Sequence, residues 1–88
     1  MKASEEELFQ QLNDTKAVVE VGATYRHYKS PNKTYLVHDI VIQEADLKTA
    51  VIYQAQYGNR ITFSRPVLVW LEMVEFEGEQ VPRYRKVL

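Results

Sequence analysis

The sequence predicts a mainly β fold: a small SH3-like antiparallel barrel of five or six strands, with an N-terminal α-helix and a short helical turn after Arg65-Pro66. Three observations predict it. Residues 22–84 carry β-branched and aromatic residues in short runs of strand length. Turn formers interrupt those runs at Ser30-Pro31-Asn32-Lys33, at Gly58-Asn59 and at Gly78. A chain of 88 residues can bury roughly two thirds of its surface, enough for one small core and short of what a sandwich usually needs. The expected organisation is a helical extension over residues 1–19 and a single β-barrel domain over residues 20–88.

The helix is expected over residues 4–13. Ser4 is placed to cap it, Glu7 completes a capping box, and Glu5, Glu6 and Glu7 sit where the helix dipole favours negative charge. Leu8, Phe9 and Leu12 form its apolar stripe, and Asn13-Asp14 is the expected stop. Strands follow at Ala23 to Tyr28 and at Thr34 to Ile42. In the second, Leu36/His38/Ile40/Ile42 is the more apolar face and the expected core side. A polar connection runs from Gln43 to Thr49, and a third strand from Ala50 to Gln56. Gly58-Asn59 suits a two-residue hairpin loop leading to Ile61 to Ser64. Pro66 can open a helical turn, since Val67-Leu68-Val69-Trp70 lacks strand alternation. Trp70, in a fully apolar run, is expected in the core. Met73 to Phe76 and Val81 to Lys86 flank Gly78, with Pro82 demoting the last run to an edge.

Composition narrows the function. There is no cysteine, so thiolate catalysis, disulfides and cysteine-zinc sites are excluded. The acidic start lacks the apolar run of a signal peptide, and Val67 to Leu71 is far too short to span a bilayer. A cytoplasmic protein without membrane contact is expected. The net charge of −1 hides a segregation: residues 1–21 balance to −3, residues 22–65 to +3 and residues 66–88 to −1. That excess is small for a protein that coats nucleic acid, yet a local basic patch can still grip one phosphate or carboxylate.

The order of motifs also resembles a family. Gly22, Tyr25-Arg26-His27-Tyr28-Lys29, Tyr35 with Val37, Val51-Ile52-Tyr53 with Ala55, Tyr57-Gly58, Arg65-Pro66, Val74-Glu75, Gly78 and Val81-Pro82-Arg83-Tyr84 stand in one register over residues 20–84. They resemble the small bacterial proteins catalogued as domain of unknown function 1653. The resemblance implies a compact β-barrel, SH3-like in form, and implies no activity. Three positions depart from it: Phe63 where the family often has tryptophan, Ser30 where it often has glycine, and Ile42-Gln43-Glu44-Ala45-Asp46 in place of an Arg-His-Ser-Glu-Thr turn.

The stretch YRHYKSPNKTY, residues 25–35, holds three tyrosines, a histidine, an arginine and two lysines with no acid. One reading is scaffold: strand tyrosines with one face in the core. The other is a patch of Tyr25, Arg26, His27, Tyr28, Lys29, Tyr53, Tyr57 and Arg65. There the rings would stack on a ligand and the cations would grip its anion. Pro66 pushes Arg65 toward extended geometry and so presents it rigidly. Arg83, Arg85 and Lys86 follow Glu72, Glu75, Glu77 and Glu79, which favours cross-strand ion pairs.

His27 and His38 lack metal-ligand spacing, and a Ser64, His27 and Asp39 set needs a geometry that sequence cannot supply. No cofactor and no metal is expected. The first expectation is therefore a non-enzymatic module that binds nucleic acid, a nucleotide or a peptide carboxylate. A protein-interaction or homo-oligomerisation unit built on Leu8, Phe9 and Leu12 is the second reading, and a small enzyme acting through His27 the third.

Overall fold

The computed structural model describes residues 3–87. The chain runs through α1 (Glu5–Lys16), β1 (Thr24–His27), β2 (Ser30–Ile42), β3 (Thr49–Ala55), β4 (Thr62–Pro66), α2 (Val67–Trp70), β5 (Met73–Phe76), β6 (Glu79–Pro82) and β7 (Tyr84–Lys86). A five-stranded antiparallel sheet has the order β4-β3-β2-β1-β7, and β5-β6 form a separate two-stranded sheet.

The capping box forms: the Glu7 amide donates to Ser4 Oγ at 3.1 Å, and the Ser4 amide donates to Glu7 Oε1 at 2.8 Å. The helix passes the expected stop at Asn13-Asp14 and ends one turn later, at Lys16. Asp14 continues it by accepting from Gln10 Nε2 at 2.7 Å, an i to i+4 pair on the helix surface. Leu12 packs on the core and Thr15 is buried, so the helix docks on its own domain, while Phe9 remains 63% exposed.

The hydrophobic core joins the inner face of the large sheet to α2 and to the segment after α1. Val19, Val37 and Val51 are fully enclosed, with Tyr25, Ile40, Tyr53, Val67, Trp70 and Tyr84 around them. Trp70 is in the core, as its apolar run predicts, stacked on Tyr84 at 3.7 Å and 6°.

Three local expectations fail. The first turn lies at Tyr28-Lys29 rather than at residues 30–33, because His27 pairs with Ser30 while Arg26 pairs with Thr34. Pro31, Asn32 and Lys33 form the bulge between those pairs, where a proline costs no ladder bond. The core face of β2 is Tyr35 and Val37, then Ile40, rather than the even-numbered set throughout. An irregularity at His38 shifts the register, so the alternation changes partway along the strand. The β3-β4 loop is also wider than two residues. Gly58 and Arg60 hold positive φ, at 56° and 54°, and Arg60 N donates to the Tyr57 carbonyl at 3.1 Å. The tight two-residue loop falls instead at Glu77-Gly78, with φ of 53° and 83°, between the paired Phe76 and Glu79.

The sheet is strongly curled. Flat, its edge strands β4 and β7 would lie about 19 Å apart, four strand spacings. Yet Arg65 Cζ, on β4, is 5.6 Å from the centroid of the Tyr84 ring, on β7. No hydrogen-bonded ladder joins β4 to β7 among the described residues, so the curl stops short of a closed barrel. Among the described residues no helix is long and apolar enough to cross a membrane.

Candidate functional site: an aromatic face with one arginine

Strand register decides which side chains meet inside the curl. Phe63 and Arg65 are two apart on β4, so both stand on one face, opposite Tyr53 and Val51 of β3. Val37 stands opposite Tyr53, and Tyr35 opposite both Ala55 and Tyr25. His27 of β1 faces Tyr84 of β7. The rings form a continuous edge-to-face array: Tyr35–Tyr53 5.5 Å, Tyr53–Tyr84 5.9 Å, Tyr53–Trp70 5.0 Å and His27–Tyr84 5.2 Å between centroids. Tyr53 lies beside Phe63 at 5.6 Å, tilted by 30°. The floor of this array is buried, but its rim is open: Tyr57 and Phe63 are exposed, and Tyr35, His27 and Arg65 are half-buried.

Tyr35 and Tyr84 are neutral at pH 7. Burial, then the hydrogen bond with Tyr57, pushes the Tyr35 phenol up to about 12. Burial also raises Tyr84, with the Tyr53 hydroxyl as the next cause. The Tyr35 and Tyr57 hydroxyls are 2.6 Å apart, and Tyr84 donates to Tyr53 at 3.4 Å. These rings therefore offer π faces and hydroxyls, not charge.

The charge comes from cations. Arg65 lies over Tyr84 and has no carboxylate partner among the described residues; the ion pairs there are Arg83–Glu72 and Lys86–Glu20. Lys33 Nζ lies 5.1 Å from the Tyr57 centroid. Removal from water lowers the His27 pKa, and the charges of Arg65, Arg83 and Lys29 lower it further. His27 Nδ1 accepts from the Lys29 amide at 3.2 Å, which leaves Nε2 to carry the proton of the neutral ring.

The expected patch is thus divided. Tyr25 and Tyr53 are core residues, and the Tyr25 hydroxyl is occupied by the Glu20 amide at 2.9 Å. Tyr57, Arg65 and His27 gather at the inner rim. Arg26 alternates with Tyr25 and His27 along β1, so it stands on the opposite face of the sheet from Arg65. Tyr28 turns toward Phe76, at 5.5 Å, and Lys29 lies 5.8 Å from the Tyr28 centroid. Tyr35, Phe63 and Tyr84 join the inner face without having been singled out as ligand contacts. The i, i+2 spacing of Phe63 and Arg65 was the signal for one of them.

Ser64, His27 and Asp39 do not assemble into a triad. Ser64 pairs with Ile52 on the outer face, whereas His27 faces inward. Asp39 Oδ1 accepts from the Ile40 amide at 2.8 Å. No group of three His, Asp or Glu side chains among the described residues is placed to hold a metal.

A family model for a protein of unknown function, DUF1653, matches residues 23–86, well over half of the chain. The crystal structure of a DUF1653 protein from Bordetella bronchiseptica is similar to this fold. Its TM-score is 0.66 and its identity 25%, over 75% of this chain and 85% of that one. No curated protein matches. The chain belongs to the DUF1653 family.

Proposed function

We propose that this DUF1653 chain is a small non-enzymatic binding module whose inner aromatic face takes a planar anionic ligand, a nucleotide or the nucleotide units of a single strand. One observation carries the reading: Arg65 is half-buried against Tyr84, beside Tyr35 and Phe63, with no carboxylate to neutralise it among the described residues. Structural arginines usually end in an ion pair or on carbonyls. One left facing open aromatic rings is suited to an anion, and the exposed Phe63 and Tyr57 rings are suited to a base. A peptide carboxylate satisfies the arginine but leaves those rings without a stacking partner. The neutral His27 can donate Nε2–H to the same anion.

The reading takes the curled sheet as an SH3-like barrel open between β4 and β7, and places the protein in a bacterial cytoplasm. The lack of cysteine and the Bordetella relative support that setting. The test is an amide-shift titration of the labelled protein with nucleoside monophosphates, short single-stranded oligonucleotides and carboxylate-ended peptides. Saturable shifts at Tyr35, Tyr57, Phe63 and Arg65 with the nucleotides support the reading. Shifts confined to other surfaces, or seen only with peptides, defeat it.

The exposure of Phe9 favours a second reading, self-association through α1. Leu12 is committed inward, so Phe9 would carry the contact, and Leu8 would flank it. A mass that does not change with concentration removes this reading.

A further inference from the structure

We infer a second anion site, on the outer side of β1, where Arg26 and Arg85 hold a phosphate group. The two arginines are direct cross-strand partners on β1 and β7, and both are exposed. Like charges placed directly opposite on an antiparallel pair repel each other. Neither arginine forms an ion pair among the described residues.

Both line a pocket of about 210 Å³ whose other walls include Tyr28, Pro31, Phe76 and Pro82. No carboxylate lines it. Glu79, which stands opposite Phe76 on the small hairpin, pairs with neither arginine. Pockets for drug-sized ligands run from about 300 Å³ upward, so this one suits a compact group. Two guanidinium forks facing one small space suit a tetrahedral oxyanion, to which each can donate two hydrogen bonds. The Tyr28–Phe76 pair beside it, rings 5.5 Å apart, can pack a small apolar substituent on the phosphate. The small β5-β6 sheet supplies Phe76 and Pro82 and thereby gains a role in forming this site.

His27 lines this pocket as well as the inner rim, but Arg65, Tyr57 and Phe63 do not, so the Arg26–Arg85 site and the Arg65 site can fail independently. The experiment follows the arginine Nε–Hε signals of the full chain during titration with inorganic phosphate and then phenyl phosphate, at constant ionic strength against chloride. Saturable shifts are expected at Arg26 and Arg85. Phenyl phosphate should reach half-saturation at a lower concentration than inorganic phosphate. Arg26→Gln and Arg85→Gln should each weaken binding at this site by about tenfold, the loss of a charge-assisted pair, while in Arg65→Ala, which lacks the inner-face anion contact, the saturable shifts at Arg26 and Arg85 persist. Phosphate should also raise the melting midpoint of the wild type by more than that of Arg85→Gln.

An abasic oligonucleotide separates the sources of the group. If it competes with phenyl phosphate, a backbone diester is accepted; if it does not, the site takes a free monoester. Shifts that are linear and equal to those in chloride would overturn the proposal. So would binding that is lost in Arg65→Ala and retained in both glutamine variants.

Discussion

Arg65 and His27 are coupled by charge across the inner rim, and that coupling can be measured. Removal from water is the larger cause of the lowered His27 pKa, and the Arg65 charge comes next. Replacing Arg65 with alanine should therefore move the imidazole titration of His27 upward, part of the way to 6.5. A midpoint that stays put or falls would show that Arg65 stands elsewhere. The sign for stability follows. The unfolded chain takes up this proton near pH 6.5 and the folded chain only at lower pH. Between those values the unfolded state holds more protons, so the contribution of His27 is complete above about pH 6.5 and is lost as pH falls through the folded value. An anion on the rim should raise the His27 pKa, so its affinity should grow as pH falls from 7.5 to 6 at constant ionic strength. A flat profile would separate His27 from the site. At this scale the sequence was partly legible. Arg65 stood out because Pro66 follows it, and Phe63 could be paired with it by spacing. Arg26 stands on the opposite face of the sheet from Arg65, because neighbours on a strand face opposite sides, and only the strand register shows which of those faces meets Arg65.

Element types were legible from runs, caps and turn formers, and their irregularities were not. The bulge at residues 31–33 carries turn formers that read as a turn, and the shift at His38 adds a residue without any compositional mark. That single shift transferred the core face of β2 from the even to the odd positions in its first half. Gly58 was rightly placed in a turn, although the loop is wider than two residues. Its φ is 56°, and an added Cβ would meet no atom within 4 Å, so a substitution there costs conformation and not packing. Gly58→Val should destabilise the fold by about 1–2 kcal/mol, the left-handed penalty for a side chain. That predicts a melting midpoint lower by several degrees. An unchanged midpoint would mean that the loop relaxes without cost.

For the whole molecule, the question is what the curl accomplishes. It brings the two edge strands of a five-stranded sheet together through side chains, and Trp70 from α2 fills the inside. The helix α1 adds to this core from outside, through Leu12 and the buried Thr15, with Gln11 Oε1 accepting from Thr49 Oγ1 at 3.2 Å. The family match begins at residue 23, beyond the helix. A chain lacking residues 1–16 keeps Val19 and the Glu20–Tyr25 bond. It should therefore melt cooperatively at a lower midpoint, having lost about 2 kcal/mol for a leucine-sized contact. A melt without a transition would make the helix part of the folding unit. A curled sheet was expected from the short strands and tight turns, but the contact of Arg65 with Tyr84 between β4 and β7 was not legible, because no local pattern encodes it. The curl is also what sets Arg65 of β4 against the Tyr84 ring of β7. The most direct measurement is the affinity of a short single-stranded oligonucleotide for the wild type, Arg65→Ala and Phe63→Ala at matched salt. The account predicts saturable binding that weakens about tenfold in each variant, as expected for losing one charged contact or one stacked base, with melts nearly unchanged. Equal affinity in all three proteins would contradict it.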